Sequence, residues 1–220
     1  MVHMIRHGQT EMNVFLKGYY DVHGYGAHLS PADDPLLFDT RLTKDGEAQA
    51  ERLNSQFISK LSPRPELLIV SPLARALQTA DLAFMDVMPD VPRLIVPEAA
   101  EKVWHSSDIG TDPQSLSSAY PNYDFSQLEE RWWYNGNSTN RDPRNIVEEP
   151  YDVFFDRIGR LYDIIASRPE RSIALVAHWG TLLALTGKEF ENCELWSAPL
   201  SSFAGQGATR AIAGKALLKN

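Results

Sequence analysis

Cysteine is almost missing from the 220 residues, with Cys193 standing alone. One thiol cannot close a disulfide within the chain, so nothing calls for an oxidising compartment, and a small packed or surface side chain in a cytoplasmic protein is expected. No apolar run approaches the ~20 residues of a membrane-spanning helix. No charged n-region with an apolar h-region precedes the first β-rich run, although only four residues stand before Ile5, so a trimmed targeting segment would leave no trace. Positive charge is in deficit: 21 Lys and Arg against 29 Asp and Glu give a net charge of −8. Nucleic acids and anionic membranes both require an extended positive surface, so neither is expected as a partner, and any anion must be held by a local pocket. Internal repeats and low-complexity tracts are absent. Metal-ligand spacing is missing as well. His3, His23, His28 and His105 stand in no such pattern with carboxylates or Cys193, so hydrogen-bonded or surface roles are expected, with no metal and no cofactor.

What is present is an ordinary globular composition, 43% hydrophobic and 23% charged, in a chain long enough to bury one substantial core. One domain over residues 1–220 is expected, with loop-rich excursions at about 15–40 and 105–150. Short β-rich runs alternate with amphipathic helices, which predicts an α/β fold with three α/β/α layers and a mostly parallel central sheet. Val2 to Ile5 reads as the first strand. Thr43 reads as the cap of a helix with Leu53, Phe57 and Leu61 on one face, stopped by Ser62, Pro63 and Pro65. "ELLIV" (66–70) reads as a buried strand, followed by a helix with Ser71 as N-cap, Pro72 at its first position and Arg75 in its first turn. "PRLIVPE" (92–98) offers a further strand. Phe154, Ile158, Leu161 and Ile165 line a helix introduced by Pro150, and "RSIALVA" (171–177) is a last strong strand running into "HWGTLLALTG".

The reactive-looking side chains occupy one kind of place. His7, Ser71 with Arg75, and His178 each stand just past the carboxyl end of an expected parallel strand, the edge at which open α/β sheets bind ligands. Helices starting there also aim unpaired N–H groups into the same crevice, which favours an anion. The planar forks of Arg6 and Arg75 match the oxygens of a phosphoryl group and neutralise it without a metal, and Asn13 adds a neutral donor. A neutral imidazole in line can attack phosphorus, which makes His7 the candidate nucleophile. His178 would donate to the phosphoryl oxygens as charge spreads over them in the transition state.

These residues carry a resemblance. "RHGQT" (6–10) followed by Asn13, "LTKDGEAQA" (42–50), "SPLARALQTA" (71–80) and "VAHWG" (176–180), in this order, are similar to the histidine phosphatase superfamily, with its phosphoglycerate mutase-like fold. The resemblance implies that His7 is the phosphorylated histidine. It implies that Arg6, Arg75 and His178 complete the phosphate pocket, and that Asn13, with Gly8, Gln9 and Thr10 of the first motif, lies on its substrate-binding side. It also implies a carboxylic acid, after the strand that follows the second arginine, to protonate the leaving oxygen. Glu98 and Glu101 compete for that role. Glu101 is chosen because "DIGT" and "LSSAYP" further on resemble an intracellular plant and fungal branch. Such an acid must be kept protonated near neutral pH by desolvation, against the pull of nearby arginines.

The implied activity is that of a metal-independent, histidine acid phosphatase-like phosphoric monoester hydrolase, which takes a small phosphorylated substrate and releases inorganic phosphate. True phosphoglycerate mutases carry a Glu-Arg-His-Tyr-Gly-like stretch around the acid, and "EKVWHSS" (101–107) stands here instead, so water is preferred as second acceptor over mutase-type transfer. A noncatalytic phosphate-recognising module on the same fold is a further alternative, whose mark would be loss of the acid. Residues 15–35 and 131–145 are expected as substrate-facing loops. The latter joins aromatics to Arg131, Arg141 and Arg144 as a lid with a second anion contact, while Trp132 and Trp133 equally suit packing onto the core. Asp33 and Asp34 fall in a Pro-bounded turn. Trp179 replaces the small residue that usually follows the second histidine, and either narrows the pocket or packs beneath it.

Overall fold

The computed structural model describes residues 1–140, 142 and 144–203. Five strands, β1 (Val2–Arg6), β2 (Leu67–Val70), β3 (Arg93–Ile95), β4 (Ile173–Ala177) and β5 (Leu195–Ala198), form one sheet in the order β3-β2-β4-β1-β5. The first four run parallel and β5 pairs antiparallel with β1, so the sheet is mostly parallel with one reversed edge. Among the described residues six α-helices accompany it: α1 (Glu11–His23), α2 (Lys44–Gln56), α3 (Ala74–Phe84), α4 (Pro113–Ala119), α5 (Tyr151–Ala166) and α6 (Trp179–Thr186). None among the described residues is long and apolar enough to cross a membrane.

Alternation along the central strands builds the three layers. Leu67 and Ile69 of β2 join Met4 and Leu175 against Phe154, Ile158 and Leu182 of α5 and α6. Leu68 and Val70 point the other way, joining Ile5 and Val176 against Leu53 of α2 and Leu77 and Phe84 of α3. A strand covered on both faces has no position left for a polar residue, which explains the unbroken "LLIV". Each such side chain contributes about 1.5–3 kcal/mol by leaving water.

Three local expectations change. The helix after β2 is not capped by Ser71. Its N-cap is Leu73, with extended backbone, and the Ser71 hydroxyl lies 2.7 Å from His178 Nε2 and accepts the Leu73 N–H at 3.3 Å instead of an N–H of the helix. The first helical N–H, on Ala74, is instead capped from far along the chain by Asp39 Oδ1 at 2.8 Å. Helix α2 ends at Gln56, leaving Phe57 49% exposed, because a tighter 3₁₀ turn, Ile58–Lys60, shifts the phase and seats Ile58 in the core. The aromatic stretch from residue 15, expected to be irregular, opens as helix α1. Thr10 and Asn13 form a capping box at its start, and Phe15, Tyr19 and His23 stack at i, i+4 spacing with centroids 6.3 and 4.3 Å apart. Tyrosine and glycine content reads as loop, whereas the i, i+4 register is what stabilises the helix.

The excursion between β3 and α5 is mostly irregular around α4. Trp132 packs its ring against Gly110, where a Cβ would collide with it, and its Nε1–H donates to the Thr111 carbonyl at 2.9 Å. Arg131 donates to the carbonyls of Ser138 and Asn140, and Arg144 pairs with Asp142. These two arginines are spent within the segment rather than presented as a second anion contact, and Arg141 lies outside the described residues.

Candidate active site

Each parallel strand delivers a polar side chain to the same sheet edge. His7 follows β1, Ser71 follows β2, Glu101 follows a 3₁₀ turn (Pro97–Ala99) after β3, and His178 follows β4. His7 is 4% exposed and its Nδ1 lies 2.7 Å from the Gly8 carbonyl oxygen. A carbonyl only accepts, so Nδ1 carries the proton and Nε2 keeps its lone pair. Burial first, then the charges of Arg75 and Arg6, hold the His7 pKa well below the ordinary histidine value, so the ring is neutral. The His7 and His178 rings sit 5.1 Å apart between centroids, tilted by 53°.

Arg75, buried in the first turn of α3, ties the site together. It donates through Nε to His178 Nδ1 at 3.2 Å, and through its two terminal nitrogens to the Ser107 carbonyl at 2.6 Å and Asp108 Oδ1 at 2.8 Å. A guanidinium only donates, so His178 Nδ1 accepts, and its Nε2–H is the donor to Ser71 Oγ. Neutral His178 thus has both ring nitrogens engaged within the protein. It can donate to an oxyanion only after Nδ1 takes up a proton and releases the Arg75 Nε–H, although burial and Arg75 hold its pKa well below normal. Each terminal nitrogen of Arg75 keeps one further N–H.

Arg6 donates to the Phe190 carbonyl at 2.7 Å, while its buried Nε–H has no partner among the described residues. An orphaned donor on a buried cation is a place where an oxyanion would gain. Asn13 accepts the Thr10 N–H and the Asn192 amide through its side-chain oxygen, which leaves its NH₂, among the described residues, as the unspent half of the amide. Gln9 and Thr10 serve the scaffold instead. Gln9 Oε1 accepts from the Thr43 hydroxyl at 2.9 Å, and the Thr10 hydroxyl caps α1. Gly8 is required by space, since a Cβ there would stand 2.6 Å from the Gly46 carbonyl oxygen. Trp179 opens α6 and packs beside Trp104 with centroids 6.3 Å apart.

Glu101, rather than Glu98, is brought to the site. It is 7% exposed and lies across the start of α6, accepting from Gly180 N at 2.8 Å, Thr181 N at 3.2 Å and its neighbour Lys102 N at 2.9 Å. Burial, then the nearby Asp108, raises its pKa above the usual carboxyl value, against those N–H groups and Arg75, which favour the charged form. Gly180 makes the approach possible, because a Cβ there would meet Glu101 Oε1 at 2.6 Å. Among the described residues Glu98 contributes its carbonyl, to Arg157.

Several supporting residues escaped the sequence reading. Asp108 Oδ2 accepts from the N–H groups of Trp104 and His105 at 3.1 Å each while Oδ1 holds Arg75, so one carboxylate folds the "WHSSD" turn around the arginine. Asp39 caps α3 and accepts from the Thr111 hydroxyl at 2.6 Å. Asp34, expected in a Pro-bounded turn, accepts from the backbone and hydroxyl of Ser106 at 2.9 and 2.5 Å. Asn192 donates to the His7 carbonyl at 3.0 Å. Asp108 opens the "DIGT" stretch, which served only to choose Glu101. Nothing local marks Asp39, Asp34 or Asn192, whose partners stand far away in the chain. A cavity of about 270 Å³ between residues 129–137 and α5 shares only Glu101 with this constellation. Among the described residues no group of three or more His, Cys, Asp or Glu side chains is arranged to hold a metal ion.

The site burdens stability in acid. His3, His7 and His178 all have native pKa values lowered by burial from 6.5. Below 6.5 the unfolded chain takes up protons on these rings that the native protein refuses, so their contribution is present above that pH and lost as pH falls. Glu101, Asp39 and Asp81, with raised pKa values, act in the opposite sense, but His7 and His178 are the groups moved well away from their ordinary value. The urea midpoint is expected to be lower at pH 5 than at pH 7, and an equal or higher midpoint at pH 5 would refute the neutral buried rings.

The family model of the histidine phosphatase superfamily (branch 1) matches residues 37–201. The chain belongs to this superfamily. The matched span carries Arg75, Glu101 and His178 but begins after Arg6 and His7, which β1 brings in from outside it. A Schizosaccharomyces pombe protein named as a phosphatase is 26% identical over 184 residues, covering 80% of this chain and 73% of its own. An Arthroderma benhamiae protein named as a phosphoglycerate mutase is 27% identical over 198 residues, 82% of this chain and 55% of its own, so the chain spans little more than half of that relative. The ecdysone phosphate phosphatase of Bombyx mori, solved with tungstate, superposes with a TM-score of 0.51 at 19% identity over 88% of this chain and 86% of its own. A mycobacterial hydrolase gives 0.50 at 21% identity over 92% and 94%. These two likenesses establish the histidine phosphatase fold.

Proposed function

We propose that the chain is a metal-independent phosphomonoesterase that hydrolyses a small phosphorylated metabolite through a phosphohistidine on His7. Membership of the superfamily, with relatives named as phosphatase and as mutase, supports a phosphatase or mutase enzyme. The observation that carries the finer statement is the His7 tautomer: Nδ1–H is spent on the Gly8 carbonyl, and Nε2 is unprotonated between two arginines. The phosphoryl group sits against the free N–H groups of Arg6 and Arg75, which neutralise it as a divalent metal would elsewhere. Nε2 attacks phosphorus in line; the P–N bond forms as the P–O bond to the leaving group breaks, and Glu101 gives its proton to the departing oxygen. The resulting carboxylate takes a proton from water, whose oxygen attacks phosphorus, breaks the P–N bond and releases inorganic phosphate. His178, protonated at Nδ1 once the dianion is in place, supports the oxygens.

Hydrolysis is preferred to mutase transfer because of Lys102. It is the one cation in "EKVWHSS", yet it is fully buried, paired with Glu148 at 2.7 Å, and placed over the Trp104 and Tyr151 rings at 4.9 and 4.6 Å. A cation committed in this way cannot retain a second phosphoryl group. A cytosolic setting belongs to the same proposal, supported by the lone Cys193, whose thiol burial pushes up to about 12.

Labelled phosphomonoester mixed with the protein in EDTA and quenched in alkali should leave phosphate on the protein that is stable to base and released by acid. Turnover without such an adduct, or turnover abolished by the chelator, would sink the mechanism. Transfer of label to a second sugar or acid, in place of release to water, would favour the mutase.

A further inference from the structure

Arg157, in the second turn of α5, has no place in the chemistry above, yet every donor it owns is used. Its Nε and one Nη2 hydrogen form a two-pronged pair with Glu149, at 2.9 and 2.7 Å. Its other hydrogens go to the carbonyls of Glu98 at 2.9 Å, Ala100 at 2.7 Å and Glu101 at 3.1 Å. Five N–H groups meet five acceptors, the full capacity of a guanidinium. Three of those acceptors are carbonyls of the turn that ends in Glu101.

The same turn is gripped from its other side. Ala100 O also accepts from the Thr181 hydroxyl of α6 at 2.6 Å, and the Glu101 carboxylate lies on the N–H groups of Gly180 and Thr181. The turn is therefore strung between α5 and α6, and its height sets where the carboxyl meets the start of α6. Glu149, 1% exposed, completes the clamp: its N–H donates to the Val103 carbonyl at 2.9 Å and its Oε2 accepts from Val103 N at 3.4 Å.

Burying an arginine–glutamate pair is a poor means of stabilising a fold, because an apolar pair of similar volume often does as well or better. What an apolar pair cannot supply is five hydrogen bonds directed at fixed angles. We infer that Arg157, held by Glu149, is a positioning residue that fixes the Glu101 turn and so aims the carboxyl that protonates the leaving group. This rests on Glu101 being the acid, as proposed above.

The test compares two esters, 4-nitrophenyl phosphate, whose leaving group needs little help from an acid, and an alkyl phosphate, which depends on one. Arg157→Lys keeps the charge opposite Glu149 but loses the fork. It should lower kcat for the alkyl ester by about tenfold while leaving the nitrophenyl ester within about twofold, and it should move the alkaline limb of kcat for the alkyl ester. In case the lysine does not fold, Arg157→Met with Glu149→Gln removes both charges together and should show the same selective loss. Equal losses on the two esters, or none, in the variant that folds would overturn the inference. Glu101→Gln serves as control. If it is itself unselective, Glu101 is not the acid and both the assignment and the inference fall; if it is selective and the Arg157 variants are not, only the inference falls.

Discussion

His7→Ala is expected to abolish turnover, with kcat falling by about a million-fold, the loss found when a covalent nucleophile is removed. The fold should survive, because the lost ring makes its hydrogen bond to the adjacent Gly8 carbonyl and leaves no distant partner behind. Acid-labile phosphate on the protein should vanish with activity. Phosphate binding should persist, since Arg6 and Arg75 remain, and can be read as protection against thermal unfolding by added phosphate. A His7→Ala protein that is folded and still turns over substrate at the native rate would remove the covalent mechanism outright. A variant that loses both activity and phosphate protection would show that His7 holds the pocket together rather than attacking in it.

Arg75→Ala should have the largest structural effect of any substitution in the site. Arg75 and Asp108 are both about 95% buried, at 2.8 Å, and removing the cation strands a carboxylate beneath the surface. Breaking a buried pair from one side costs about 3–5 kcal/mol, a large share of a total stability of about 5–15 kcal/mol. Asp108 keeps the N–H groups of Trp104 and His105, which places the expected loss toward the lower end of that range. The double variant Arg75→Ala with Asp108→Asn separates the two roles. Stability should return in part, because no charge is left unpaired, while hydrolysis stays lost, because a phosphoryl group then faces Arg6 alone. A urea midpoint for Arg75→Ala equal to that of the wild type, or recovery of activity in the double variant, would contradict the assignment of Arg75 to both tasks.

Legibility in the sequence followed the range of the interaction. The central strands were readable because a strand buried on both faces must be apolar throughout, as in "LLIV" and "IALVA", whereas the antiparallel edge strand β5, only partly buried, was not read. Helix α5 was readable because one stripe of Phe154, Ile158, Leu161 and Ile165 recurs at helical spacing. Helix α1 was misread because its stabilising pairs, Phe15 on Tyr19 and Tyr19 on His23, look by composition like a loop. The start of α3 was misread because its cap is Asp39, 35 residues earlier, while the local candidate Ser71 is occupied by His178.

From the sequence alone came the alternation of strand and helix, the sheet edge at which His7, Arg75 and His178 would meet, and the family, since these depend on side-chain type and short-range periodicity. Only the tertiary structure decided which proton each imidazole carries, which of Glu98 and Glu101 lies at the start of α6, and what Arg157 clamps. Apart from the His7 proton, set by the adjacent Gly8 carbonyl, and the Arg157 pair with Glu149 eight residues away, those depend on hydrogen-bond partners tens to more than a hundred residues apart, as with Arg75 and His178. Partners so distant leave no periodic trace in a chain, because folding, and not spacing, sets the distance between them.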